Sequence, residues 1–165
     1  MTLKGMKKRI GLFMTNHLFA GTRCFEIKRH LLKFAGFRIG ERTKIVGPVF
    51  ITGDLTVGED CWIGCDLKVH GNGHVVIGKN CDLAPDISFL TGSHKIGSHE
   101  RRAGEGFNSD ITVGNGCWIG AGAGIMPGVQ IGDGCIVAAH ACVTENVPND
   151  TLTGGVPSRV IRKLE

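Results

Sequence analysis

The sequence predicts an all-β protein, namely a parallel β-helix of about five coils with a short N-terminal helical cap and one extended external loop. Two observations lead to this prediction. An aliphatic residue or Phe returns at every sixth position from residue 39 onward, apart from a slip of two residues between Val69 and Ile77, and this period stops once after Phe89 and then resumes. The residues of this series are Ile39, Ile45, Ile51, Val57, Ile63, Val69, Ile77, Leu83, Phe89, Val113, Ile119, Ile125, Ile131, Val137 and Val143.

A period of six residues fits neither an α-helix nor a hairpin strand, so it indicates a unit that closes on itself and stacks. If each hexad supplies one short strand and three hexads close one triangular coil, every series residue points inward. The coils are then 39–56, 57–76, 77–94, 113–130 and 131–148. Five coils would stand only about 24 Å tall, so the open ends call for a cap and for self-association.

The first 38 residues differ in charge from the rest of the chain. Residues 1–38 hold nine Lys or Arg against one Glu, a net charge of +8, whereas residues 39–165 have a net charge of −4. The spacing of Leu, Ile and Phe suits one or two short amphipathic helices that end at Gly36. Two interpretations stay open: a cap on the first coil with its basic side chains in water, or a cap that also rests on an anionic membrane face.

The cysteines follow the same register as the hexads. Four of the seven stand four places after a series residue, where other hexads have Val or Ala: Cys61, Cys81, Cys117 and Cys135. We therefore expect them to be reduced packing residues at a second inward position. The sequence has no C-x-x-C pair, and this usage is typical of a reducing, cytoplasmic compartment.

The interruption of the series predicts an external loop. Residues 95–112, KIGSHERRAGEGFNSDIT, are polar and lack the aliphatic period, so this segment must leave the wall of the β-helix. His94 stands at its edge.

Three motifs resemble a known family: LTGSH at 90–94, ITVGNGCWIGAGAGIMPGVQIGDGCIVAA at 111–139, and VPNDTLTGGVPSRVIR at 147–162. They are similar to the hexapeptide-repeat acyltransferases, and most of all to the maltose and galactoside O-acetyltransferases and the enzymes that acetylate capsule and lipopolysaccharide sugars. The resemblance covers about residues 39–165, with a C-terminal tail at 149–165. It implies a left-handed β-helix and an acetyl-CoA-dependent O-acetyltransferase that acts on a sugar hydroxyl in cell-surface polysaccharide or lipopolysaccharide biosynthesis.

The resemblance also implies that His94 is the general base. An alcohol attacks a thioester slowly unless its proton is removed as the C–O bond forms, and a positioned imidazole supplies roughly 10²- to 10⁴-fold. No covalent intermediate is needed, so the lack of a G-x-S-x-G motif is no difficulty. Two alternatives remain: His99, inside the loop, as the base, or His94 as a residue that only caps a coil.

For the donor and the assembly, the resemblance implies a homotrimer that binds acetyl-CoA between subunits. By motif, the residues that line the pantetheine arm or meet phosphates are Trp118, Ala121, Ala139, Thr144, Arg159 and Arg162. Guanidinium groups pair phosphate oxygens well, which suits the two arginines. Glu145 stands where the family often has Lys, and Trp118 has an alternative role as a packing aromatic in a subunit interface.

The acceptor is less well specified. Galactoside-type relatives hold sugar hydroxyls with an Asn and an Asp, and the matching positions fall near Gly64 and Asn72, so the first is absent and the second altered. The candidate acceptor contacts are Asp66, Asn72 and Glu105, each with an alternative role as an ordinary turn or loop residue. These departures favour a hydroxyl on a cell-envelope sugar or its lipid-linked precursor over a free β-galactoside or maltose. Such an acceptor would place the enzyme in the cytoplasm, either free or bound at the inner face of the membrane.

Other functions remain open on the same fold. One is a serine or amino-sugar acetyltransferase. From other classes come a metal-binding β-helix of the γ-carbonic anhydrase kind, for which His94 and His99 have a suitable spacing, and a non-catalytic scaffold. For an acetyltransferase we expect no metal. Nucleic acid is a poor candidate, because residues 39–165 are net acidic and the chain has no Tyr and few other aromatics for stacking.

Overall fold

The computed structural model describes residues 2–165 and consists of an N-terminal helical cap followed by short strands. The helices are α1 (Leu3–Phe13), a π-helical turn (Met14–Leu18) and α2 (Phe25–Phe34). The strands are β1 (Arg38–Ile39), β2 (Lys44–Ile45), β3 (Val49–Ile51), β4 (Asp54–Val57), β5 (Trp62–Ile63), β6 (Leu67–His70), β7 (His74–Ile77), β8 (Asp82–Leu83), β9 (Ser88–Leu90), β10 (Gly92–Ile96), β11 (Ala103–Asn108), β12 (Ile111–Val113), β13 (Trp118–Ile119), β14 (Gly124–Ile125), β15 (Gln130–Ile131), β16 (Ile136–Val137), β17 (Cys142–Val143), β18 (Thr151–Gly155) and β19 (Ser158–Lys163).

Three parallel sheets form the walls of a triangular prism. Sheet A has the order β1-β4-β7-β12-β15, sheet B runs β2-β5-β8-β13-β16-β18, and sheet C runs β3-β6-β9-β14-β17. The chain passes from A to B to C and back to A, so the prism has an A–B, a B–C and a C–A corner. The predicted parallel β-helix is therefore confirmed, with five complete coils and the start of a sixth.

The hexad series fills the interior of the prism. Every one of its fifteen residues is at most 5% exposed. Residues of successive coils pair directly above one another, for example Val69 with Phe89 and Phe89 with Ile125 on sheet C. The two extra residues between 69 and 77 lie in the turn at Gly71–Gly73 on the C–A corner, so the register is the same below and above them.

The cysteine column lies inside the A–B corner. The four cysteines at this position are fully or almost fully buried, and all seven cysteines are free thiols. Each of the four donates a hydrogen bond of 3.0–3.1 Å to a backbone carbonyl of the next coil; the acceptors are Gly78, Gly114, Gly132 and Pro148. The packing role is confirmed, and the thiol also satisfies a carbonyl at the corner, which Ala could not do. In the first coil the hydroxyl of Thr43 donates to Gly58 O at 2.7 Å in the same way.

The helical cap closes the N-terminal end of the prism. Leu32, Ala35 and Phe37 join the core of the first coil, and α1 packs on α2 through Gly11. A Cβ on Gly11 would lie 2.6 Å from Leu31 O and 2.7 Å from the Ala35 Cβ, so only Gly permits this approach. The described part of the chain has no helix long and apolar enough to cross a membrane.

A buried lysine fixes the link between the cap and the first coil. The Lys28 Nζ donates to Gly21 O at 2.5 Å and to Val46 O at 2.8 Å, and it lies 4.7 Å from the centre of the Phe25 ring. Burial lowers the pKa of Lys28. Its hydrogen bonds to two carbonyls and its contact with an aromatic face offset part of that desolvation.

Two segments differ from the boundaries that the sequence suggested. The external loop is an ordered antiparallel hairpin of β10 and β11 that already begins at Gly92, and the chain is back in sheet A at Ile111, which is fully buried. Residues 149–165, expected as a tail, contain β18, which extends sheet B beside β16, and β19, which folds back on β18.

Candidate active site

The hairpin of β10 and β11 projects from the C–A corner of the third coil and is fastened there by Thr91. The Thr91 hydroxyl, which is fully buried, donates to His70 O at 2.7 Å and accepts from Gly73 N–H at 3.1 Å. Its backbone carbonyl accepts from Ser109 N–H at 2.8 Å, across the base of the hairpin. Thr91 therefore ties both ends of the hairpin to the turn of the coil below.

Two further side chains hold the returning end of the hairpin. Asn108 Oδ1 accepts from Asn72 N–H at 2.7 Å, and Asp110 Oδ1 accepts from His74 N–H at 2.8 Å. Sequence reasoning did not single out Thr91, Asn108 or Asp110. The sequence feature that could have identified them is the run of short polar side chains on both sides of the interruption in the hexad series. Such side chains typically form hydrogen bonds with nearby backbone groups.

His94 lies on β10, opposite Gly106 on β11. Its Nδ1 is 2.9 Å from Gly104 O, and its side chain is exposed on the hairpin. A carbonyl oxygen can only accept, so Nδ1 carries the hydrogen in this contact. In the neutral ring the Nε2 then has a free lone pair, which is the tautomer that a general base requires.

Gly106 leaves space beside this ring. A Cβ at Gly106 would lie 3.6 Å from His94 Cε1, so the glycine forms an open floor under the imidazole. Gly92, Ser93, Phe107 and Asn108 complete a shallow concavity around it. A polar group entering this concavity can therefore approach the imidazole without displacing a side chain.

The predicted acceptor residues lie in different places. Glu105 is on the hairpin, where its Oε2 pairs with Lys95 Nζ at 2.7 Å, and both side chains are exposed. Asn72 is in the C–A turn beneath the hairpin base. Asp66 is at the B–C corner, with a positive φ of 59° that suits a turn residue, so within one chain it is separated from His94 by the width of sheet C.

The other histidines are arranged differently from His94. His99 is in the turn between β10 and β11, exposed, with its Nε2 3.0 Å from Glu100 Oε1. The His74 Nε2 contacts the Thr56 hydroxyl at 2.8 Å on the outside of sheet A. Over residues 2–165 of one chain, no three His, Cys, Asp or Glu side chains come together in an arrangement for a metal ion.

Most of the residues predicted to bind acetyl-CoA lie on or beside sheet B. Trp118 points outward from β13 and is 57% exposed, and Arg159 and Arg162 are exposed on β19 along the end of the same sheet. Ala121 and Ala139 are at the B–C corner, one coil apart, as the hydrogen bond from His140 N–H to Ala121 O indicates. Thr144 follows β17 and is exposed at the C–A corner, two coils above the hairpin.

These positions separate His94 from Trp118. In a triangular prism, sheet B is the wall opposite the C–A corner, so a single chain carries the imidazole on one side and the tryptophan on the other. Of the two arginines, Arg159 has a neighbouring carboxylate, since its Nη1 lies 3.6 Å from Glu145 Oε1. The structure thus does not bring the predicted base and the predicted donor-binding residues together within one chain.

A concavity of about 810 Å³ opens between α2 and the first three coils of sheet B. Phe25 and Trp62 meet there edge to face, with ring centres 5.7 Å apart, beside the charged side chains of Arg42 and Asp82. Trp62 pairs with Asp82, which pairs in turn with Trp118, so the concavity adjoins the wall that carries Trp118. Aromatic surface next to hydrogen-bonding groups is suited to a polar ring such as a sugar.

The chain is similar in sequence and in structure to known acetyltransferases, and several of these matches cover most of its length. Residues 110–145 match the family model described as bacterial transferase hexapeptide (six repeats). The chain is 31% identical over 141 residues to the galactoside O-acetyltransferase of Escherichia coli (strain K12), which covers 84% of this chain and 70% of that protein. It is 32% identical over 135 residues to the putative colanic acid biosynthesis acetyltransferase WcaF of the same organism, covering 81% and 72%. The solved structure of a galactoside acetyltransferase in complex with coenzyme A superposes with a TM-score of 0.85 at 28% identity, over 98% of this chain and 81% of that one.

Proposed function

The chain belongs to the hexapeptide-repeat acetyltransferases, and from this premise we propose that it transfers the acetyl group of acetyl-CoA to a sugar hydroxyl, with His94 as general base. The observation that supports this most is the contact between His94 Nδ1 and Gly104 O. It orients the ring on the hairpin and leaves Nε2 able to accept a proton.

The reaction needs only one proton acceptor from the protein. As the acceptor oxygen attacks the thioester carbon, its proton moves to Nε2 of His94 and an imidazolium forms. The C–S bond then breaks, and the imidazolium returns the proton to the thiolate of the departing coenzyme A. Base catalysis of this kind contributes roughly 10²- to 10⁴-fold, and the rest of the acceleration comes from holding donor and acceptor in line.

The donor would lie along sheet B and the adjoining B–C corner. Trp118 offers an aromatic face, and Ala121 and Ala139 are small residues that let a narrow pantetheine arm lie close to the coils. Arg159 and Arg162 would pair phosphate oxygens. The coenzyme A bound in the solved galactoside acetyltransferase supports acetyl-CoA as the donor.

We infer that the active site is shared between subunits of a homotrimer. His94 and Trp118 are on opposite sides of one prism, so a complete site requires the hairpin of one subunit to reach sheet B of its neighbour. A cyclic arrangement of three prisms creates three equivalent clefts of that kind. Thr144 and Glu105, on the C–A side, would then face the donor and acceptor held by the neighbour.

For the acceptor we propose a sugar of a cell-surface polysaccharide or of its lipid-linked precursor, modified in the cytoplasm. Two relatives are named for a galactoside and for colanic acid biosynthesis, which supports a sugar as the acceptor class. Asn72, beneath the hairpin, and Asp66, which a neighbouring subunit would present from its B–C corner, are the proposed hydroxyl contacts. The altered position 72 and the Gly at 64 favour an acceptor other than a free galactoside.

The experiment is a thiol-release assay with acetyl-CoA and a panel of acceptors. The panel holds free sugars, sugar nucleotides, lipid-linked oligosaccharides and serine. We expect release of coenzyme A above the hydrolysis background only with sugar acceptors, and an acetyl ester in the product by mass spectrometry. Activity with serine alone, or no release with any acceptor, would contradict the proposal.

A further inference from the structure

The outward side of α1 is apolar. Leu3, Met6, Ile10 and Phe13 recur at helical spacing and are 64%, 40%, 45% and 59% exposed. These four residues, hereafter the apolar stripe, share one side of the helix. A surface helix of a globular domain normally turns such a stripe toward the core. In α1 the stripe instead faces outward.

The opposite side of α1 makes the contacts with the body of the protein. Gly11 is buried against α2, and Leu12 packs at the edge of the core. Lys8 points inward, and its Nζ donates to Thr52 O at 2.7 Å and to Gly53 O at 2.6 Å. The orientation of α1 is therefore fixed by specific contacts, and the apolar stripe is held outward by them.

Basic side chains border the apolar stripe, and acidic ones are missing from the helix. Lys7 lies along one edge and Arg9 along the other, and Lys4 is exposed next to Leu3. The sequence of α1, LKGMKKRIGLF, contains no Asp or Glu. This combination of a strong positive charge with a continuous apolar side is typical of helices that lie in a membrane interface.

The same surface continues onto α2. Phe34 is about half exposed, and Lys7 Nζ lies 5.6 Å from the centre of its ring. Leu3 and Phe34 line one concavity together with Lys4 and Lys7. The surface formed by the apolar stripe and Phe34 is thus wider than one helix face and carries its lysines at the rim.

We propose that this surface binds the anionic face of a lipid bilayer, with α1 lying in the plane of the interface. The charges favour lipid over a second copy of the same surface, because two copies face to face would bring the like charges of Lys4 and Lys7 together. Each basic residue near an anionic bilayer adds affinity, and the apolar stripe adds burial of nonpolar surface. The enzyme would then work beside acceptors attached to membrane lipids.

Vesicle binding tests this proposal without acetyl-CoA or any acceptor, so its outcome is independent of the proposed reaction. The full chain is sedimented with vesicles of phosphatidylcholine alone or with about 30% phosphatidylglycerol. We expect binding only to the anionic vesicles. The double variant Ile10→Gln and Phe13→Gln should weaken it about tenfold or more, and Lys4→Gln about fivefold. About 0.5 M NaCl should weaken the wild type as well.

Val156→Gln is the matched control, because Val156 is an exposed apolar residue far along the chain in the turn between β18 and β19. It should bind the vesicles as the wild type does. The proposal is overturned if the wild type does not sediment with anionic vesicles, or if the double variant binds as tightly as the wild type. It is also overturned if the double variant changes the oligomer size in light scattering, since the surface would then join two copies of the chain.

Discussion

Replacing the hydroxyl of Thr91 should loosen the hairpin that carries His94. Thr91→Val keeps the shape of the side chain but removes the acceptor of Gly73 N–H and one of the two donors to His70 O. The carbonyl of His70 retains the Thr91 N–H at 2.8 Å, whereas the Gly73 N–H loses its hydroxyl acceptor in a buried position. A buried donor without an acceptor costs about 1–3 kcal/mol.

Thr91→Ser separates the hydroxyl from the packing. It keeps both hydrogen bonds and loses one buried methyl group, which costs about 1 kcal/mol. With a urea dependence of about 2 kcal/mol/M, Thr91→Val should lower the unfolding midpoint by about 0.5–1.5 M. The midpoints are compared by circular dichroism at one fixed protein concentration, because dissociation of subunits would make them depend on it.

Activity gives the second readout. A small displacement of the hairpin moves the imidazole relative to both substrates, so kcat of Thr91→Val should fall by about tenfold or more, while Thr91→Ser should stay near the wild type. If Thr91→Val unfolds at the wild-type midpoint and Thr91→Ser does not, the methyl group rather than the hydroxyl holds the hairpin, and the reasoning is refuted.

Three further predictions concern the core and the cap. A disulfide reagent such as 5,5′-dithiobis(2-nitrobenzoate) should titrate three of the seven thiols in the native protein and all seven in denaturant; rapid reaction of more than three would contradict the buried column. Burial raises the pKa of the Cys135 thiol in the folded protein. The thiol therefore contributes its full stabilisation below about pH 8.5, where the thiol of the unfolded chain is protonated too, and this stabilisation is lost at higher pH. The stability difference between wild type and Cys135→Ala, from urea unfolding, should therefore shrink between about pH 8 and 10, and a constant difference would contradict this. Gly11→Ala should destabilise the packing of α1 by about 1–3 kcal/mol, because its Cβ would overlap Leu31 O, whereas the control Gly5→Ala should be neutral or stabilising. Hydrogen exchange of the α1 amides distinguishes the two variants, and equal protection in both would refute the close contact at Gly11.

The hexad period predicted most of the fold because it reports directly on burial. The family inferred from the three motifs is confirmed, and so are the prism and the packing of the cysteines. The sixth coil was not predicted, since Val147 stands only four positions after Val143 and the next position of the hexad series is Thr153, a polar residue. A period of aliphatic residues does not detect a coil that begins early and continues with Thr.

The candidate site was predicted only in part, for a physical reason. His94 could be selected by its position, but the partner that orients it is the Gly104 carbonyl, and a backbone acceptor has no side-chain signature. The start of the hairpin at Gly92 was missed because its strands pair with each other and bury nothing; Ile96, an aliphatic residue within β10, is almost fully exposed.

The separation of His94 from Trp118 was not predicted for a similar reason. Motif matching assigns both residues to one function, yet it carries no information about which wall of the prism each occupies. The closed path of the chain puts one at the C–A corner and the other on sheet B. If the site is shared between subunits, as proposed, its residues form one set of motifs in the sequence but two separate surfaces in a single chain.

The role of His94 is tested most directly by the kinetics of His94→Ala beside His99→Ala, with acetyl-CoA and whichever sugar acceptor the thiol-release panel identifies. Both histidines are exposed on the same hairpin, so the pair controls for a general effect on the loop. We predict that His94→Ala lowers kcat by about 10²- to 10⁴-fold with the KM for acetyl-CoA within about twofold of the wild type, and that His99→Ala leaves both nearly unchanged. A kcat of His94→Ala within about threefold of the wild type, or the large loss in His99→Ala instead, would contradict the assignment of His94 as the base.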